Sequence, residues 1–269
     1  MDKMMDMLKN APYLLLLCVL MILGFNGCSN TPETSKDKVA DETKNSLDSR
    51  IMVESISDWI LLFDSQTHPT MDAWTGFNQD AIPGKWEIID GLLTVSKQGD
   101  AVDKNTGFGQ SIVTKELFDN FELEVHYRMS PGANSGIMYH VIQSSNYKDD
   151  YETGPEYQLL DNQLATSESL PHRQVASLYD MYPPQTSPYL PAGQWNVAGI
   201  KVLDNEVEHW LNEKLVLQYN LKSDDFLERK IESKWYDDSD WAMAGIGHIS
   251  LQDHGDKVEF KRIAIRRIK

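Results

Sequence analysis

Cysteine is almost missing from this chain of 269 residues, which holds only Cys18 and Cys28. Cys18 falls inside an apolar leader, so maturation leaves Cys28 alone, and the exported part has neither a disulfide nor a thiol nucleophile. Basic residues are also in short supply: 25 Lys+Arg stand against 41 Asp+Glu, a formal net charge of −16. That balance excludes a nucleic-acid partner, which needs a basic patch to neutralise phosphates, and an anionic lipid surface. A neutral ligand such as a sugar is unaffected by it. No apolar run is long enough to span a bilayer comfortably, since YLLLLCVLMILGF (13–25) falls short of the roughly 20 residues required. No His-x-His or His-x-x-x-His pair occurs, and neither does an internal repeat.

The leader follows Lys3 and Lys9 and ends at Phe25-Asn26-Gly27-Cys28. It fits the apolar region of a secretory signal. A cysteine after a small residue at this place resembles a bacterial lipobox. That resemblance implies cleavage before Cys28, acylation of its thiol and amine, and a stable lipid anchor in the cell envelope, periplasmic or surface-facing. The alternative is an ordinary signal peptide followed by a coincidental cysteine. Residues 28–56 are polar, mixed in charge and poor in aromatics, as expected of a flexible tether. The expected organisation is therefore a signal at 1–27, a lipidated tether at 28–56 and a globular domain at 57–269.

Within that domain the dominant period is two. FELEVHYRM (121–129) sets Phe121, Leu123, Val125, Tyr127 and Met129 against Glu122, Glu124, His126 and Arg128, a strand with one buried face. WNVAGIKVLDNEVEHWLNEKLVLQYN (195–220) reads as three strands, with turns at Asp204-Asn205 and Asn212-Glu213-Lys214. Shorter strands are expected in LLTVS (92–96), SIVTK (111–115), GIMYHVI (136–142) and EYQLLD (156–161). ISLQ and KVEFKRIAIRRI form a last pair around Asp253-His254-Gly255-Asp256. The pattern predicts an all-β fold, an antiparallel β-sandwich or jelly roll. One helix is expected in SDDFLERKIESKW (223–235), capped by Ser223, with Phe226, Leu227, Ile231 and Trp235 as its apolar stripe.

Several phrases in order resemble one known family. They are IMVESISDWILLFDSQTHPTMDAW, Asp90-Gly91-Leu92-Leu93, FELEVHYRMSPGANSGIMYHV, YETGPEYQLLDN, SLYDMYPP, AGQWNVAGIKV and GHISLQDHGDKVEFKRIAIRRI. Together they are similar to the 3-keto-disaccharide hydrolase-like domain family, common in exported proteins and lipoproteins of polysaccharide-degrading bacteria. Ser65-Gln66-Thr67 departs from the usual Gly-Lys, where no chemistry rests. The resemblance implies a concanavalin/LamG-like jelly roll of two curved antiparallel sheets and a carbohydrate partner, a glycoside oxidised to a ketone at C3. Two other readings stay open: a non-catalytic carbohydrate-binding surface lipoprotein, and a scaffold without sugar affinity.

A C3 ketone acidifies the proton on C2, so a base can form an enolate that expels the glycosidic oxygen from C1, and water can add afterwards. Such chemistry needs a base, an acid for the leaving oxygen and donors at the C3 oxygen. It does not need the paired carboxylates of ordinary glycosidases. Strand alternation puts Glu156 and Gln158 on one face, opposite Tyr157 and Leu159. Glu156 is the expected base, Gln158 a substrate amide, and Asp161 a sugar or orienting carboxylate; the plain alternative is a solvated face. Asn134 and Ser135, in PGANSG, either face sugar hydroxyls or belong to a hairpin. Arg128 is a further donor, or else a surface ion-pair partner of Glu122 or Glu124. A turn explains Gly255 but not His254, which is read as the acid/base partner of Glu156 with Asp253 beside it. An exposed turn histidine and a metal ligand are the alternatives. No cofactor is implied, although a His/Asp/Glu set leaves a divalent ion open. In the proline-rich SLYDMYPPQTSPYLP (177–191), Tyr179 is the preferred substrate contact, whereas Tyr182 and Tyr189 are equally suited to packing.

Overall fold

The computed structural model describes residues 58–96, 110–163 and 170–269. Cys28, the leader and the tether lie outside the described residues. The strands are β1 (Ile60–Asp64), β2 (Trp74–Gly76), β3 (Trp86–Ile89), β4 (Leu92–Val95), β5 (Ile112–Thr114), β6 (Phe121–Met129), β7 (Asn134–Val141), β8 (Glu156–Leu160), β9 (Asn196–Leu203), β10 (Glu206–Leu211), β11 (Lys214–Asn220), β12 (His248–Leu251) and β13 (Val258–Arg267), and α1 (Asp224–Glu232) follows β11. They form the expected jelly roll of two antiparallel sheets. One runs β11-β10-β9-β6-β13-β4-β3, with β1 also paired to β13, and the other runs β2-β5-β12-β7-β8.

In β6 the alternation predicts the structure residue by residue. Phe121, Leu123, Val125, Tyr127 and Met129 are buried, and the charged residues between them are half-buried on the outer face. Each large apolar side chain sunk this way contributes about 1.5–3 kcal/mol. Outside, Glu122 pairs with Arg266, Glu124 with Arg262 and Arg128 with Glu259. The β9–β10 and β10–β11 turns also match expectation. Asp204, Asn205, Asn212 and Glu213 all have positive φ, which asparagine and aspartate tolerate better than most residues.

The five-stranded sheet differs, because both its faces are covered. Every residue of β8 is buried. Tyr157 and Leu159 belong to the core between the sheets, while segments 142–153, 170–182 and 233–242 contribute groups to the opposite side.

Two connections depart from the sequence reading. β12 and β13 do not pair with each other: β12 pairs with β5 and β7, and β13 with β1, β4 and β6. Asp253-His254-Gly255-Asp256 is therefore a crossing from one sheet to the other. PGANSG makes the same crossing from β6 to β7 and is not a hairpin. Because β6 neighbours β13 and β7 neighbours β12, the two crossings run side by side. The Asn134 N–H donates to Asp256 Oδ2 (3.1 Å) and the Ser130 N–H to the Lys257 carbonyl (3.1 Å). Gly132 and Gly255 take φ of 74° and 93°, angles that suit glycine in these corners.

The helix also departs from its expected stripe. Ser223 caps it, accepting from the Phe226 N–H at 3.1 Å, but Leu227 and Ile231 are 42% and 72% exposed. The helix attaches instead through Phe226, which stacks between Tyr219 and Trp241 with ring planes within 12° and 7°. Trp235, beyond the helix end, stacks on Trp241 at 4.9 Å.

Candidate functional site

The outer face of the five-stranded sheet, where β7 and β8 lie side by side, holds a hollow of about 190 Å³. That is below the roughly 300–1,000 Å³ of drug-sized sites and suits one small polar ring. It is lined by Asn134, Tyr151, Glu156, Gln158, Tyr179, Lys234, Gln252 and His254. Gly136 pairs with Gln158 across the strands. A Cβ at Gly136 would overlap the Glu156 carboxylate, so this glycine gives the acid its place above the sheet.

A hydrogen-bonded chain crosses the floor. Gln158 Nε2 donates to Asn134 Oδ1 at 2.8 Å, which turns Asn134 Nδ2 toward His254 Nε2 at 3.2 Å. An amide donor here favours the neutral imidazole with Nε2 as acceptor. The side-chain oxygens of Gln158 and Gln252 are buried and, among the described residues, have no hydrogen-bond partner. Each such acceptor disfavours the fold by about 1–3 kcal/mol until a donor reaches it, and sugar hydroxyls are donors of the right kind.

Charge is concentrated at the other end. Burial pushes the Glu156 carboxyl well above the ordinary carboxylate range; the Lys234 charge opposes this and the charge of Asp150 adds to it. Asp150 does not line the hollow. It is buried and accepts from the Ser250 hydroxyl. Desolvation lowers the pKa of Lys234, against the pull of Glu156 and Asp180. The residue is exposed along part of its length, but its ammonium lies 4.0 Å from the Trp235 ring centre, 4.4 Å from Tyr179 and 5.7 Å from Tyr151. Burial also lowers the pKa of His254, while Asp256 and Asp253 act the other way.

A larger hollow of about 370 Å³ lies on the outer face of the eight-stranded sheet, around Trp210 and Gly199. Several of its polar groups are engaged: Glu122 accepts from Arg266, Glu124 from Arg262, and Glu208 from Trp210 Nε1 at 2.9 Å. The hollow that joins a buried carboxyl, an imidazole and an amine is on the other sheet.

Residues 58–266 match the family described as the 3-keto-alpha-glucoside-1,2-lyase-like domain. The chain belongs to that family. It is 34% identical to a 3-keto-disaccharide hydrolase of Bacteroides thetaiotaomicron, across 87% of this chain and 88% of that one. Its fold is similar to a crystal structure of a candidate glycosyl hydrolase from Parabacteroides distasonis, with TM-score 0.68 and 30% identity over 78% of this chain and 94% of that one. A second crystal structure from that organism, at 22% identity and TM-score 0.60 over 78% and 100% of the two chains, shares the fold.

Of the residues singled out in the sequence, this family member brings Glu156, His254, Asn134, Gln158 and Tyr179 to one hollow. It places four others elsewhere. Arg128 is on the outer face of the opposite sheet, donating to Glu259 at 2.7 Å and lying over Trp195; its ion-pair partner is neither Glu122 nor Glu124. Ser135 points inward from β7 and donates to the Gln252 carbonyl at 2.8 Å. Asp161 accepts from the Gly132 N–H at 2.8 Å and the Tyr189 hydroxyl at 3.1 Å, so it ties loops together. Asp253 is buried off the hollow and accepts from the Gly255 N–H at 2.9 Å. Tyr182 likewise packs, donating to Asp225. Tyr151, Lys234 and Gln252 were missed. Gln252 stands next to the quoted Asp253-His254, and Lys234 is flagged only by the aromatic pair that follows it. Among the described residues no cluster of three or more His, Cys, Asp or Glu is disposed to hold a metal ion.

Proposed function

We propose that this protein cleaves glycosides carrying a ketone at C3, by elimination across C1–C2 followed by hydration. The observation that carries the proposal is a single carboxyl group, Glu156, lining a sugar-sized hollow with an amine and an imidazole for company. Among the described residues, two carboxyl groups flanking the bond, as in most glycosidases, are not what lines this hollow. One base beside an amine is what proton abstraction next to a carbonyl needs.

In this reading Glu156 takes the proton from C2, and the charge that builds at C3 is taken up by Lys234. The C1–O bond breaks as His254, protonated when substrate is bound, gives its proton to the departing oxygen. Water then adds at C1, giving a proton back to His254, and Glu156 returns its proton to C2. The products are a 3-keto sugar and the released alcohol or sugar. Gln158 and Gln252 accept sugar hydroxyls, and Tyr151 and Tyr179 form the walls. The names of the family and of the Bacteroides relative support the substrate class.

The test is to mix purified protein with the 3-keto and the unoxidised forms of one disaccharide. Release from the keto form alone is expected, and Glu156→Gln should lower it by about a thousandfold or more while sugar binding persists. Binding without release from either form would leave only a carbohydrate-binding module. For location we infer export and lipid anchoring at Cys28, tested by Cys28→Ala, which should move the protein from the membrane fraction to the soluble one.

A further inference from the structure

Lys234 is the least expected member of the hollow. Its ammonium has three aromatic rings around it and, among the described residues, no hydrogen bond and no ion pair within 4 Å. The charged groups that act on it are Glu156, Asp180 and Asp238, with Arg173 repelling it. A permanent cation meant to clamp an oxyanion is usually steadied by a carboxylate and is often arginine. Aromatic faces attract an ammonium, but less strongly than the water they displace from it. Crowding by rings therefore favours loss of the proton over its retention. That is the setting of an amine that attacks carbonyls.

We propose that Lys234 condenses with the C3 ketone to form an imine. This rests on the reading of the substrate given above and names the group that activates it. The step begins with the proton of the pair on Glu156 and a neutral amine on Lys234. Nζ bonds to C3, and the carbonyl oxygen collects one proton from Glu156 and one from the nitrogen and leaves as water. The result is an iminium at C3 and a carboxylate on Glu156. That carboxylate removes the C2 proton and gives an enamine, whose electrons expel the C1 oxygen as His254 protonates it. After water adds at C1 and a proton returns to C2, a second water hydrolyses the iminium and frees Lys234. One proton shared by Glu156 and Lys234 thus serves both condensation and C2 abstraction.

The experiment incubates the full-length protein with a 3-keto glucoside and sodium cyanoborohydride, then maps peptides by mass. The expected result is an adduct at Lys234, heavier by the sugar minus water plus two hydrogens, with activity lost in step. Lys234→Arg, which keeps the charge and cannot condense, should be as inactive as Lys234→Ala, with both variants folded by circular dichroism. Turnover of the keto glycoside with no adduct, together with an active Lys234→Arg, would overturn the imine and leave elimination standing. Absence of turnover in the unmodified protein, with or without an adduct, would overturn the substrate reading itself.

Discussion

Burial drives Glu156 and His254 toward their uncharged forms, yet the chemistry needs an ionised base and a protonated acid. A good leaving group such as an acidic phenol departs without His254. Its kcat/KM should rise with pH as the Glu156–Lys234 pair sheds the first of its two protons and reaches the one-proton form that the chemistry uses. With a sugar as leaving group the same rise should be met by a fall as His254 loses its proton, giving a bell. Identical profiles for the two substrates would remove His254 from the acid role. Asn134→Asp puts an acceptor where a donor now faces Nε2, so the falling limb should move to higher pH. Glu156 also bears on stability. Its folded pKa lies above the unfolded one, so its contribution is full below the ordinary carboxylate range and is lost as pH rises through the elevated value. Glu156→Gln should therefore stabilise the fold at pH 8 by about 1–2 kcal/mol and leave it unchanged near pH 4, which thermal melts at the two pH values would show.

At the scale of elements, two features hold the reacting groups in place. The first is Gly136, whose missing side chain leaves room for the Glu156 carboxylate. Gly136→Ala should displace that acid and lower kcat by about a hundredfold, in line with misplacement of roughly 1 Å. The second is the ring stack from Tyr219 through Phe226 and Trp241 to Trp235, next to which Lys234 sits. Phe226→Ala should destabilise by about 3–5 kcal/mol, read from a denaturant midpoint. β6 was legible because each residue has one buried and one open face to choose between. In β8, alternation correctly put Glu156 and Gln158 on the face away from Tyr157 and Leu159. It did not show that later segments would cover that face as well. Asp253–Asp256 reads as the turn of a strand pair, and PGANSG as a hairpin in one of its two readings, because the same glycine and Asx chemistry serves hairpins and crossings, and only pairing partners distant in sequence separate the two. Leu227 and Ile231 were spaced as a buried stripe, but a helix held at one edge by Phe226 leaves them in water.

Across the whole molecule, the fold divides labour between its sheets. The eight-stranded sheet shows water a ladder of paired charges, each worth about 0–1 kcal/mol. The five-stranded sheet carries buried polar groups that the core does not need. Arg128 lies away from the hollow although its strand is polar on one face, because nothing local says which sheet that face belongs to. Lys234 escaped notice because its role depends on three rings drawn from separate parts of the chain. The net charge of −16 leaves binding of a neutral sugar untouched, so affinity for substrate should vary little between low and high salt. The most direct test is the rate of cleavage of a 3-keto disaccharide carrying deuterium at C2, compared with its protium form. The account predicts a primary isotope effect, with the deuterium carried by Glu156 and then either returned to C2 or exchanged with solvent. Equal rates with the label retained at C2 in the product would contradict it.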